Sequence, residues 1–337
     1  LKKRTEKEEG EAMKFLKLKK DQIEDFFDSI HSFGIVYAPV KSDGKISFRR
    51  AQNFSDVSLE YTRSQIPPKH VILPMEEPIL KFREEEYFEV VDDENKVLLG
   101  VHHCDIIAFK MLDEVYLQPP KDIYYHERIK RTLIIGLSCI PDNYCFCKAT
   151  NSFYTSDGFD IFLHDCGDFY FVRVATPRGL KVTENSKNLF EKVDEKDMEL
   201  FVKAEKERFE RVKGKNLWMI GDLIELRDEN FWKIFSERCL NCGNCTLVCP
   251  TCQCFEVYDE LEEDLKSGNR FRRWDSCMLR AHGLVADGHN FRERTEERLR
   301  NRLSCKLGEM RCVGCGRCTV YCPTGIDILE IVRALKE

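Results

Sequence analysis

Two runs of cysteine carry the clearest chemistry in this sequence. Cys239-Leu-Asn-Cys242-Gly-Asn-Cys245-Thr-Leu-Val-Cys249-Pro250-Thr251 recurs as Cys312-Val-Gly-Cys315-Gly-Arg-Cys318-Thr-Val-Tyr-Cys322-Pro323-Thr324, with eight of thirteen positions identical. Each half is C-x2-C-x2-C-x3-C-P, the spacing of a bacterial [4Fe-4S] run. Three thiolates in one tight loop can reach three corners of a cubane. The fourth cysteine starts a turn that points away, toward the other cluster. Gly243 and Gly316 free the backbone to aim N–H groups at sulfur, and Pro250 and Pro323 help redirect the chain. The expected ligands of cluster A are Cys239, Cys242, Cys245 and Cys322. Those of cluster B are Cys312, Cys315, Cys318 and Cys249. The competing assignment is a pair of zinc sites, which would use paired C-x2-C knuckles. No C-x2-C is followed by His, so a c-type haem is excluded.

The chain holds 17 cysteines, an odd number, so they cannot all pair in internal disulfides. With no secretory signal expected, such cysteines read as metal ligands or redox groups in a reducing cytoplasm. Cys139, Cys145 and Cys147 cluster after a buried apolar run, and Cys104 lies between a strand and a helix. Together these four form a possible third [4Fe-4S] site, with buried thiols or zinc as alternatives. His102 and His103 are candidate ligands or cluster neighbours, with ordinary structural histidines the expected reading. Cys252, Cys254, Cys277 and Cys305 could line the clusters or form another site, but packing is the expected role. Cys166 reads as incidental. The segment between the runs is rich in arginine, from Arg270 to Arg302. It is a docking face for an acidic partner, a positive field that raises cluster potential, or a solvated face paired with Asp275, Asp287, Glu293, Glu296 and Glu297.

These residues need elements to position them. The 337 residues suggest about two domains, with 53 basic and 59 acidic side chains and a net charge of −6. That acidity argues against nucleic acid as a partner, and no apolar run suits membrane insertion. Residues 1–12 read as a disordered extension. Residues 13–183 read as an α+β domain. A helix begins at Asp21, as cap, with Ile23, Phe26, Phe27 and Ile30 on one face, and Gly34 stops it. Strands are expected at 35–37, 46–48, 87–91, 97–99, 132–137, 159–163 and 169–174, with a helix from Asp105, as cap, to Tyr116. Residues 184–236 read as a helical connector. Residues 237–337 read as an all-helical dicluster [4Fe-4S] ferredoxin domain, with helices at 256–266, 295–302 and 327–335.

No G-x-G-x-x-G and no G-x4-G-K-[ST] is present, so no standard dinucleotide or P-loop site is visible. No catalytic Ser/His/Asp or Cys/His set stands out. The chain reads as a relay that needs subunits carrying a flavin and a catalytic metal. It resembles the beta, iron–sulfur subunit of the cytoplasmic sulfhydrogenases, heterotetrameric [NiFe]-hydrogenases of hyperthermophiles. The resemblance runs from Met13 through nearly the whole chain. It is carried by Tyr37-Ala-Pro-Val40, Pro67-Pro-Lys69, Gly100-Val-His-His-Cys-Asp105, Ser138-Cys-Ile-Pro-Asp-Asn-Tyr-Cys-Phe-Cys147, Arg272-Arg-Trp-Asp-Ser-Cys277, His282-Gly-Leu-Val285, Gly288-His-Asn-Phe291 and the two cysteine runs. The resemblance implies a gamma subunit binding FAD and NAD(P)H, with small and large [NiFe]-hydrogenase subunits. The complex would oxidise or evolve H2 and reduce sulfur or polysulfide. The equivalent iron–sulfur subunit of anaerobic sulfite reductase and the flavin-oxidoreductase modules of heterodisulfide reductases are similar, and imply a different terminal catalyst. Two further readings compete: an interaction or regulatory protein whose clusters only hold the fold, and a self-sufficient polysulfide reductase.

Overall fold

A computed structural model of the chain describes residues 13–212, 214, 217 and 220–337, so the extension expected over 1–12 lies outside the described residues. Its strands are β1 (Lys14–Lys19), β2 (Ile35–Ser42), β3 (Lys45–Arg50), β4 (Glu76–Arg83), β5 (Glu86–Glu89), β6 (Lys96–Val101), β7 (Thr132–Leu137), β8 (Ile161–Asp165), β9 (Phe169–Val174), β10 (Phe190–Lys192), β11 (Phe255–Leu261) and β12 (Ser267–Trp274). They form an eight-stranded sheet in the order β10-β1-β9-β8-β7-β6-β2-β3 and a four-stranded sheet in the order β11-β12-β4-β5.

The centre of the large sheet, β2-β6-β7-β8, is parallel. Every residue of β6, β7 and β9 is buried, the pattern of strands covered on both faces. Parallel neighbours end on the same side, so the residues after β6, β7 and β8 share one edge of the sheet. In open α/β sheets that edge is where ligands gather. Cys104, Cys139 and Cys166 all follow these strands.

The helix Ile23–Ile30 buries Ile23, Phe26, Phe27 and Ile30, as its spacing predicts. Asp21 does not cap it. Lys20–Gln22 form a separate 3-10 turn, fixed where the Lys20 N–H donates to the Asp168 carbonyl at 3.1 Å. Asp105 is not a cap either. The helix His103–Tyr116 starts two residues earlier, which leaves the Asp105 carboxylate free for a distant partner.

The cysteine-rich end has its own core of Trp232, Phe235, Leu303, Ile331 and Leu335, against which Cys239, Cys245, Cys312 and Cys318 pack. The helices Thr295–Leu303 and Ile328–Lys336 form as expected. The expectation of an all-helical domain does not hold, because residues 255–261 are strand and not helix. The reason is cross-strand charge: acidic β11 lies antiparallel to arginine-rich β12, placing Asp259 opposite Arg270 and Glu256 opposite Arg273. Arg270 donates to Asp259 at 2.7 and 2.8 Å, and Tyr258 stacks on Phe271 at 5.5 Å. Such pairs are the unit of sheet stabilisation. β12 then pairs with β4, where buried Arg272 meets Glu77. Most arginines of this segment are therefore paired, chiefly with partners outside the acidic set expected for them.

Candidate iron–sulfur sites

The two cysteine runs take the same backbone path. Asn241 and Gly314, at equivalent positions, have φ of 53° and 61°. Gly243 and Gly316, also equivalent, have φ of 73° and 74° and open the four-residue helices Asn244–Leu247 and Arg317–Val320. A left-handed residue between successive cysteines wraps the loop around a point. The Asn241 N–H then donates to Cys239 Sγ at 3.5 Å and the Gly314 N–H to Cys312 Sγ at 3.4 Å. The closing threonines also match: Thr251 Oγ1 lies 3.3 Å from Cys249 Sγ, and Thr324 Oγ1 lies 3.5 Å from Cys322 Sγ.

Two cavities open between the runs. Cys239, Cys242, Cys245 and Cys322 line the first, with Met278, Leu299 and Ile331. Cys249, Cys312, Cys315 and Cys318 line the second, with Phe146, Lys306 and Arg317. The first therefore receives the first three cysteines of its own run and the last two of the other, and the second receives the first three of its own run and the last of the other. Cys318 lines both.

The donor chemistry fits iron–sulfur cubanes. Tetrahedral zinc at Zn–S ≈ 2.3 Å needs sulfurs about 3.8 Å apart. Among the described residues no three cysteine sulfurs lie within 4.8 Å of one another. A cubane spreads its ligands further apart. Burial pushes the Cys245 thiol up to about 12 and the Cys315 thiol up to about 11. These thiols keep their protons until a metal takes them as thiolates.

The structure gathers the other expected cysteines beside the second cavity. Cys104 has Cys315 and Cys139 as electrostatic neighbours, and Cys139 has Cys147 and Cys145. The loop carrying Cys145 and Cys147 packs directly on the second run, where the Phe146 N–H donates to the Gly314 carbonyl at 2.8 Å. A Cβ at Gly314 would lie 2.6 Å from the Cys147 nitrogen. Arg63 joins the same loops, donating to the Cys315 carbonyl at 3.1 Å and to Asp142. Arg317 donates to Asp105 at 2.8 and 2.9 Å, and both are fully buried.

His102 is held by backbone, with Nδ1 3.0 Å from the Leu137 carbonyl and Nε2 3.2 Å from that of Tyr61. Burial pulls its pKa down to about 4. His103 stacks on Phe162. His103, His164 and Glu205 bring ligand-type atoms within 4.8 Å. Arg173 Nε donates to His164 Nε2 at 3.0 Å, and Arg208 donates to Glu205. The His164 Nε2 lone pair is thus in use, and two cations already face the group. Of the basic groups around the cysteines, Arg302 belongs to the arginine-rich segment and Lys69 to a motif of the resemblance, while nothing in the sequence marks out Arg63, Lys306 or Arg317.

Among the described residues no helix is long and apolar enough to cross a membrane. Residues 238–326 match the family described as 4Fe-4S dicluster domain. Sulfhydrogenase 2 subunit beta of Pyrococcus furiosus is 39% identical over 332 residues, covering 96% of this chain and 99% of that protein. With cysteine-lined cavities inside the matched segment and identity along almost all of both chains, this chain belongs to the sulfhydrogenase beta-subunit family.

Proposed function

We propose that this chain is the iron–sulfur relay subunit of a cytoplasmic sulfhydrogenase, passing electrons from a subunit that binds FAD and NAD(P)H to the small and large [NiFe]-hydrogenase subunits, or the reverse. The observation that carries it is the pair of adjoining cavities, both lined by cysteines of the two repeat runs, in a chain of this family. Cys239, Cys242, Cys245 and Cys322 hold cluster A. Cys249, Cys312, Cys315 and Cys318 hold cluster B. Cys104, Cys139, Cys145 and Cys147 hold a third cluster against B. Closed cubanes supply one-electron transfer and no bond chemistry.

This chain's own residues insulate and bias those centres. Met278, Leu299 and Ile331 exclude water from cluster A. Lys306 places positive charge at cluster B, where the charge of Arg317 is balanced by Asp105, and this favours the reduced state of an anionic centre. Cys242 is exposed and adjoins Leu240, itself 66% exposed, so cluster A is the surface terminal where a partner docks.

The test is reduction of the anaerobically purified chain through its flavin subunit with NADH or NADPH. Cluster EPR signals appearing on addition of that subunit support the relay. Clusters reducible by dithionite but never through the flavin subunit overturn it.

A further inference from the structure

Four cysteines remain outside these three sets apart from Cys166, and they converge. Cys252 and Cys254 lie just beyond the first run, while Cys277 and Cys305 come from distant segments. The Asp275 N–H donates to the Cys254 carbonyl at 3.0 Å, which fixes the segment of Cys277 beside Cys254. Lys306 Nζ donates to the Thr251 carbonyl at 3.1 Å, which fixes the segment of Cys305 beside Cys252. Cys277 has Cys254 and Cys305 as electrostatic neighbours, and Cys305 has Cys254. Cys252 is within hydrogen-bond reach of Cys249.

The surroundings are cationic. Lys69, Arg302 and Lys306 are 2%, 5% and 5% exposed. Among the described residues none of the three has a carboxylate in ion-pair range; Lys69 and Lys306 face Cys252 and Cys249, and Arg302 faces Cys245 and Cys318 before Cys252 and Cys249. Buried charges need opposite charge beside them. Neutral thiols packed for shape would not supply it. Lys69 also donates to the Cys252 carbonyl at 2.5 Å and lies 4.1 Å over the Trp274 ring. Trp274 Nε1 and Arg302 Nε are buried donors without a protein acceptor. Sulfide and thiolate sulfur accept such N–H groups. His282 bonds Cys254 and is oriented by Asp275 through its Nδ1.

We propose that Cys252, Cys254, Cys277 and Cys305 ligate a further [4Fe-4S] cluster, whose negative charge Lys69, Arg302 and Lys306 neutralise. Zinc does not suit the site, because no three of these sulfurs lie within 4.8 Å of one another. The contact between Cys249 and Cys252 makes this centre the neighbour of cluster B. It stands apart from the dicluster assignment, since none of its four ligands belongs to a repeat run.

The experiment compares iron, acid-labile sulfide and EPR signals in the anaerobically purified chain with those of Cys277→Ser and Cys305→Ser. Each variant is expected to lose about four irons and four sulfides while the dicluster signals persist. Unchanged iron in both variants overturns the proposal and leaves the dicluster reading intact. Loss of the dicluster signals alone overturns that reading instead.

Should either variant fail to fold, the wild-type count decides. About sixteen irons per chain supports this centre beside the other three, and about eight overturns it. About twelve is resolved by Cys139→Ser. Retention of all of them places the additional cluster here. A loss of about four places it in the N-terminal domain and overturns the proposal.

Discussion

Single side chains decide whether the cysteine-rich end holds metal. Cys318 stands in the wall common to both cavities. Cys318→Ala is expected to remove cluster B, about four irons per chain, while the large sheet stays folded. Iron analysis and circular dichroism check this together, and unchanged iron content contradicts the ligand assignment. Arg317 has a different role. It is buried against Asp105 and also donates to the Ser64 carbonyl at 2.9 Å. Arg317→Met strands a carboxylate in the interior, and removing one partner of a buried pair costs roughly 3–5 kcal/mol. A lowered denaturation midpoint in that variant, and recovery in the double variant with Asp105→Asn, test the pair. Asp105 also shows a limit of sequence reading. At the start of a helix an aspartate reads as a cap, and nothing local reveals an arginine more than two hundred positions away.

At the scale of elements, docking of the Cys145–Cys147 loop on the second cysteine run joins the sheet to the cluster region. Gly314 makes that approach possible, because a Cβ there would strike Cys147 and Phe146 at 2.6 Å. Gly325 has a similar left-handed φ of 69° but open space around it. Gly325→Ala carries the conformational cost alone, about 1–2 kcal/mol. Gly314→Ala adds the clash and is expected to lower the melting temperature further and to release iron. Equal effects would show that the loops are not held together here. The buried strand 132–137 and the strand 169–174 are legible in the sequence because continuous apolar runs leave few alternatives. The strand 255–261 is not, because Glu256, Asp259 and Glu260 suit a helix face equally well. Their partners on β12 decide the outcome, and pairing is a property of two segments. The convergence of Cys252, Cys254, Cys277 and Cys305 is hidden for the same reason. Its segments are separated by a hairpin and a helix, whereas the repeat runs carry three cysteines within one turn.

Over the whole molecule, the small sheet ties β4 and β5, which lie between β3 and β6 in the chain, to the cysteine-rich segment through β12, and the buried Arg317–Asp105 pair joins the helix after β6 to the second cysteine run. The parallel strands present Cys104 and Cys139 at one edge, against the loop of Cys315. Such an arrangement suits a path through the protein that ends at exposed Cys242. Leu240→Asp is expected to leave iron content unchanged and to weaken docking of a redox partner by roughly 1–2 kcal/mol, as for a central interface residue. Electron-transfer rate against partner concentration reads this directly, and an unaltered concentration dependence places the docking face elsewhere. The relay depends above all on two neighbouring cubanes between the repeats. EPR of the dithionite-reduced, anaerobically purified chain tests for them most directly. The expected result is [4Fe-4S] signals broadened by coupling between adjacent clusters, with that coupling lost in Cys318→Ala. A reduced chain without EPR signals, or one carrying zinc in place of iron, would contradict it.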